Sequence, residues 1–167
     1  MKDLFYDLEE SPLGTLRFMA EGELLTAIRM LDPGDPVEPG PGWEKNASVF
    51  ADLRAQLAAY FAGELMEFDL ALGPRGTAFQ RRVWESLTEI PYGETISYAQ
   101  LAVRIGEPRA IRAVGAANGR NPLPIVVPCH RVIGADGSLT GYAGGLGRKR
   151  LLLELEGSLV GALAPLL

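Results

Sequence analysis

The sequence predicts an α/β protein of the α+β type in two parts. Residues 1–76 read as a small N-terminal antiparallel β-sheet domain with a helix. Residues 77–167 read as a mainly helical, winged-helix-like domain built on a helix-turn-helix. Three observations predict this division. Residues 13–31 alternate as a hairpin, two helix-capping boxes follow each other in the second half, and the charge changes sign between the halves. Residues 1–77 hold 6 Lys/Arg against 14 Asp/Glu, whereas residues 78–167 hold 10 against 7.

The hairpin is "LGTLRFMA" followed by "LLTAIRML", broken by Glu21-Gly22-Glu23. "DPGDPVEPGPG" (32–42) is a Pro/Gly loop with no stable element of its own. From Ser48 to Ala62, apolar residues at Val49, Leu53, Leu57, Tyr60 and Phe61 have helical spacing, and Gly63 supplies the stop. "FDLAL" (68–72) reads as a short strand and "GPRG" (73–76) as the turn between the domains.

In the second half, Thr77 and Gln80 form a T-x-x-Q capping box before a helix carrying Phe79, Val83, Trp84, Leu87 and Ile90, ended by Pro91. Ser97 and Gln100 form a second box that opens a short helix through about Ile105. Gly106 breaks it, and Pro108 fits the first turn of a third helix reaching Asn118. Two short helices joined across "GEP" have helix-turn-helix shape, although such pairs more often serve packing than DNA binding.

Composition narrows the function classes. A chain of 167 residues with 47% hydrophobic and 22% charged residues has the make-up of a soluble globular protein. No apolar run is long enough to span a bilayer. The acidic N-terminus lacks the apolar stretch of a secretory signal, so a cytoplasmic, non-membrane protein is expected. One cysteine and one histidine allow neither an intramolecular disulfide nor a Cys/His zinc site, so no metal is expected. No phosphate loop or metal cluster points to a cofactor. The net charge of −5 argues weakly against nucleic acid, but the basic second half is compatible with a polyanion bound there alone.

"PRAIRAVGAANGRN" (108–121) is rich in Ala and Gly and carries Arg109 and Arg112 about one turn apart. It has almost no long polar side chains with which to read a major groove. Small residues would instead bring the helix backbone close to a narrow surface such as a minor groove, with an arginine free to enter the base stack. An Ala-rich helix packed on its neighbour with solvated arginines explains the same stretch.

"PIVVPCHRVIG" (124–134) places the sole cysteine, Cys129, beside the sole histidine, His130. "PIVV" reads as a buried strand whose ladder Pro128 interrupts. A lone buried cysteine is more often a small hydrophobe than a nucleophile. A reactive thiolate, however, needs a base or a positive neighbour, and His130 is the one imidazole at hand. Sequence neighbours point their side chains apart, so a bridging water suits the link between them better than a direct bond. The imidazole then calls for an orienting carboxylate. Glu154 and Glu156 both qualify, and spacing does not choose between them.

"NPLPIVVPCHRVIG", together with "GTAFQRRVWESLTEIPYGETISYAQLA" (76–102), "RAVGAANGRNP" (112–122) and "GYAGGLGRKRLLLELEG" (141–157), resembles the O6-alkylguanine-DNA alkyltransferases. The segments occur in that family's order and separations, and the first half resembles its N-terminal domain more loosely. The resemblance implies direct repair of DNA. The alkyl group of O6-alkylguanine passes irreversibly, once per molecule, to Cys129, and O4-methylthymine is a second substrate class it admits. His130 resembles the water-linked base, Glu156 the carboxylate that orients it, and Asn121 the brace of the active-site turn. Tyr98 resembles the tyrosine that crowds the 3′ phosphate of the target nucleotide. Arg112 resembles the arginine that fills the vacated stack, with Arg109, Ala113, Gly115, Ala116 and Arg131 implied as further DNA contacts. Tyr142 resembles the tyrosine beside the guanine pocket, with Ala143, Val132 and Pro124 implied as its other walls. The implied partner is double-stranded DNA bound through its minor groove by a monomer.

Two departures stand out. Some relatives have serine where this chain has Ala143, so a contact to the alkylated oxygen there would fall to the backbone N–H. Some relatives carry zinc in the N-terminal domain, and its ligands are missing here. A sister group that binds lesions without transferring anything has Trp in place of the acceptor cysteine. The competing readings are a non-catalytic lesion-binding or regulatory module, and a thiol hydrolase built on Cys129, His130 and Glu156.

Overall fold

A computed structural model describes residues 3–158. The chain divides into two compact units between Arg75 and Gly76. In the first, strands β1 (Leu4–Ser11), β2 (Gly14–Glu21) and β3 (Leu24–Met30) form an antiparallel meander, and a two-residue strand β4 (Glu44–Lys45) adds to β1 in parallel, giving the order β3-β2-β1-β4. The predicted hairpin is β2–β3. Its turn uses Gly22 at φ 58°, a left-handed conformation that glycine adopts without steric cost.

The helical spacing from Ser48 resolves into a 3₁₀ turn (Ser48–Phe50) running into α1 (Ala51–Phe61). Leu53, Leu57 and Tyr60 of α1 are buried with Phe18 and Phe50, whose ring centroids lie 5.6 Å apart. "FDLAL" does not form the expected strand. Only Leu72 bridges Leu25, with Leu25 N–H donating to Ala71 O at 2.9 Å and Gly73 N–H to Leu25 O at 2.9 Å. β1 escaped the sequence reading because it carries Asp7, Glu9 and Glu10 among its apolar residues. Asp7 is buried and accepts from Arg54 of α1 at 2.7 Å, and Glu9 also pairs with Arg54.

The second unit holds α2 (Ala78–Leu87), α3 (Tyr98–Arg104), α4 (Ile111–Gly119) and α5 (Leu146–Leu155), with a short parallel pair, β5 (Ile96–Ser97) and β6 (Val132–Ile133). Both capping boxes form as read. Thr77 Oγ1 accepts from Gln80 N–H at 3.1 Å while Gln80 Oε1 accepts from Thr77 N–H at 2.9 Å, and Ser97 and Gln100 repeat the exchange. Trp84 Nε1–H of α2 donates to Ala117 O of α4 at 2.8 Å in the core, fixing the helix that follows the turn.

α4 begins three residues later than expected. Gly106, at φ 78°, ends α3, and Ala110 N–H then donates to Glu107 O at 2.9 Å. Pro108 thus occupies the second position of a β-turn, where its fixed φ is equally at home, and not the first turn of the helix.

"PIVV" is buried but is a turn, not a strand. Val127 N–H donates to Leu123 O at 2.9 Å, and Cys129 N–H donates to Val127 O at 2.8 Å. Asn121 closes the turn: its Nδ2–H donates to Val127 O at 2.8 Å and its Oδ1 accepts from Leu123 N–H at 3.0 Å. These bonds satisfy the backbone locally, so an apolar run can be buried without a ladder. Ile125, at φ 76°, is the one non-glycine residue with positive φ among the described residues, an unfavourable place for a β-branched side chain.

Because the first capping box ties the start of α2, Thr77→Ala should lower stability by about 1 kcal/mol. Urea unfolding followed by tryptophan fluorescence would measure it.

Candidate active site

The 3₁₀ turn Cys129–Arg131 connects the Asn121 turn to β6, and all three of its side chains are buried. Cys129 keeps 5% of its surface, whereas His130 is wholly covered. Burial pushes the thiol up to about 11, against the opposing pull of a hydrogen bond from Asn121 and the charge of Lys149.

Of the two carboxylates left open by the sequence, the structure brings Glu156 to the site. It caps α5, and its Oε2 accepts from His130 Nε2–H at 2.8 Å. Glu154 sits at the surface, where it pairs with Arg150 at 2.9 Å. Donation through Nε2 fixes the tautomer and leaves Nδ1 with its lone pair, buried and without a hydrogen-bond partner among the described residues. Burial holds His130 below its ordinary value in spite of Glu156, so the ring is neutral and basic at Nδ1.

Arg131 departs from the expected DNA contact. Its guanidinium is buried, donating to Glu156 Oε1 at 2.8 Å, to Glu156 Oε2 at 3.0 Å and to Ile90 O at 2.6 Å. Buried and with three of its five N–H donors committed inside the protein, it is not presented to a phosphate at the surface. Its task is to keep Glu156 ionised and in place beneath the imidazole.

The remaining residues fall into two groups. Arg109, Arg112, Ala113 and Ala116 are exposed, and Gly115 is half-buried, where an added Cβ would lie 3.7 Å from the Tyr98 ring. Tyr98 is half-buried, and its hydroxyl donates to Thr140 O at 3.0 Å. On the thiol side, the Tyr142 hydroxyl is buried without a partner among the described residues, and burial raises it well above its ordinary value. Ala143 is exposed, Pro124 half-buried and Val132 fully buried. Asn118, which the sequence reading passed over, donates from Nδ2 to Cys129 O at 3.4 Å and ties α4 to the thiol's backbone.

Lys149 was also missed. It is fully buried, and Nζ donates to Val132 O at 2.6 Å and Thr140 O at 2.7 Å. Nothing in "GRKRLLLELEG" distinguishes it from its half-buried neighbours Arg148 and Arg150. Among the described residues no group of three or more His, Cys, Asp or Glu is placed to hold a metal ion, and no helix is long and apolar enough to cross a membrane.

A histidine held neutral by burial gives a defined pH response. Its depressed folded value means that the unfolded chain binds the proton more readily, so stability is fully present above the ordinary value of 6.5 and declines as pH falls below it. Thermal unfolding across this range should show the slope in the native chain and a shallower one in His130→Gln.

Residues 78–158 match the family described as "6-O-methylguanine DNA methyltransferase, DNA binding domain", and residues 4–74 match "6-O-methylguanine DNA methyltransferase, ribonuclease-like domain". The chain is 57% identical over 152 residues to a methylated-DNA–protein-cysteine methyltransferase of Mycolicibacterium paratuberculosis, covering 90% of this chain and 91% of that protein. It is 50% identical over 155 residues to one from Methanosarcina acetivorans, covering 93% of this chain and 99% of that protein. Among solved structures, Mycobacterium tuberculosis OGT in complex with DNA superposes with a TM-score of 0.85 at 54% identity, over 92% of this chain and 93% of that one. With both of its halves matched and its relatives covered nearly end to end, the chain belongs to the 6-O-methylguanine DNA methyltransferase family.

Proposed function

We propose that this chain repairs DNA by moving a methyl group from O6 of guanine onto its own Cys129. The observation that carries the reading is the lone thiol, bound by Asn121, next to a neutral imidazole oriented by Glu156, within the segment that matches the family's DNA-binding domain. The relative crystallised with DNA supports the partner.

In this reading residues 77–167 are the DNA-binding and alkyl-acceptor domain. The exposed face of α4 enters the minor groove, where Ala113, Gly115 and Ala116 let the backbone come close. A thiol cannot reach O6 inside a base pair, so the nucleotide is turned out at a cost of a few kcal/mol. Tyr98 crowds the backbone phosphate and Arg112, with Arg109 nearby, fills the gap. Pro124, Tyr142 and the backbone N–H of Ala143 receive the base.

His130 Nδ1 takes the thiol proton through a water. The sulfur attacks the methyl carbon in line, an S–C bond forms as the C–O6 bond breaks, and the electron pair returns to guanine. A tyrosine hydroxyl or a backbone N–H assists the departing base. The product is a thioether, a poor leaving group, and no second thiol exists in the chain to accept the methyl group. Each molecule therefore acts once. The protein works as a cytoplasmic monomer.

Incubation with a methylated oligonucleotide should raise the intact mass by one methylene unit at Cys129, one event per protein. Loss of the lesion over many turnovers with an unmodified sulfur would refute the reading. Cys129→Ala should abolish transfer and retain binding, and Arg112→Ala should weaken lesion processing. Affinity should fall as salt rises, and a flat salt dependence would remove the phosphate-led docking.

A further inference from the structure

Asn118 lies in the last turn of α4 and keeps 2% of its surface. Half of its amide is used. The Nδ2–H donates to Cys129 O at 3.4 Å, whereas Oδ1 is buried without a hydrogen-bond partner among the described residues. Burying an unpaired carbonyl oxygen costs stability, and an apolar side chain of similar size would avoid that cost. Packing alone therefore does not call for an amide here, and the bond to Cys129 is what the amide adds.

The place of that bond gives it a use. Asn118 O accepts from Asn121 N–H at 3.3 Å, and Asn121 closes the turn before Cys129 and bonds its sulfur. One residue of α4 thus holds the acceptor segment at two points, through Asn121 and through the carbonyl of Cys129 itself. The same carbonyl accepts from Val132 N–H where the 3₁₀ turn ends. Next to Asn118, Ala117 O receives the Trp84 bond from α2 at 2.8 Å, so this end of α4 is fixed to the core. Arg112, Ala113 and Ala116 are exposed on the same helix. A displacement in which sulfur, carbon and departing oxygen must lie in line tolerates little error in the attacking atom, and a misplacement of about 1 Å can cost about a hundredfold in rate.

We propose that Asn118 is a positioning residue for methyl transfer. By bonding the carbonyl of Cys129 it sets the main chain of the acceptor against α4, so that the sulfur meets the methyl carbon in line. The purpose rests on the methyl-transfer reading, whereas the hold on the turn does not.

Asn118→Leu nearly keeps the volume and removes both the donor and the unpaired oxygen. Its melting temperature should equal or exceed the native value. With protein in excess over a methylated duplex, at a temperature where each form is fully folded, its limiting rate of transfer should fall about tenfold. The protein concentration giving half that rate should stay within about twofold of native. An unchanged limiting rate would overturn the proposal, whether the melting temperature moves or the half-rate concentration does. Asn118→Ala, which cannot overpack, carries the same rate comparison if the leucine variant does not fold. A second measurement uses no DNA. Hydrogen exchange at the Val132 amide, which shares the Cys129 carbonyl, should quicken about fivefold in Asn118→Leu relative to the amides of α2. Equal exchange in the two proteins would overturn the proposal. A native chain that leaves methylated DNA untouched while this difference in exchange is present would refute the methyl-transfer function and not the hold of Asn118 on the turn.

Discussion

The second unit is organised around one carboxylate. Glu156 is buried, and ion pairs are stable in such a place only when geometry satisfies both partners. Here it accepts from His130 Nε2 and from two nitrogens of Arg131, while Arg131 reaches on to Ile90 O. The three residues come from two distant stretches of sequence, the turn after Pro128 and the end of α5. Their union joins α5 to the segment bearing the thiol. It also decides the chemistry of the imidazole, because the nitrogen that faces Glu156 must hold the proton and the other is left as a base.

The polar interior is thus divided by role. Arg131 stabilises Glu156, Glu156 orients His130, and Asn121 shapes the turn and touches the sulfur. Asn118 holds the carbonyl of the same cysteine from α4, and Trp84 holds α4 from α2. Arg112, exposed on α4, and the buried thiol are therefore connected through a single helix that is hydrogen-bonded to both the acceptor turn and α2.

Local signals were legible in the sequence, and long-range ones were not. The capping boxes at Thr77/Gln80 and Ser97/Gln100 are self-contained, and both appear as read. The family resemblance singled out Cys129, His130, Glu156 and Asn121, which the structure gathers into one site. Period and burial could not separate a buried strand from a buried turn at "PIVV", because the difference lies in Asn121, three residues upstream, taking over the ladder's hydrogen bonds. β1 was hidden because its acidic residues are compensated by Arg54, more than forty residues away in sequence. Arg131 and Lys149 resembled surface cations for the same reason: a charge next to other charges looks solvated until the chain folds around it. Glu154 and Glu156 differ by two positions, and only the end of α5 turns one inward.

Ile125 shows what the turn demands of its sequence. The backbone there favours glycine, while the surrounding core calls for a large aliphatic side chain, and no residue type meets both requirements. The position is a compromise that the rest of the turn must enforce. The same Asn121 side chain that closes this turn also bonds the sulfur, so the unfavourable backbone of Ile125 and the setting of the thiol share one anchor.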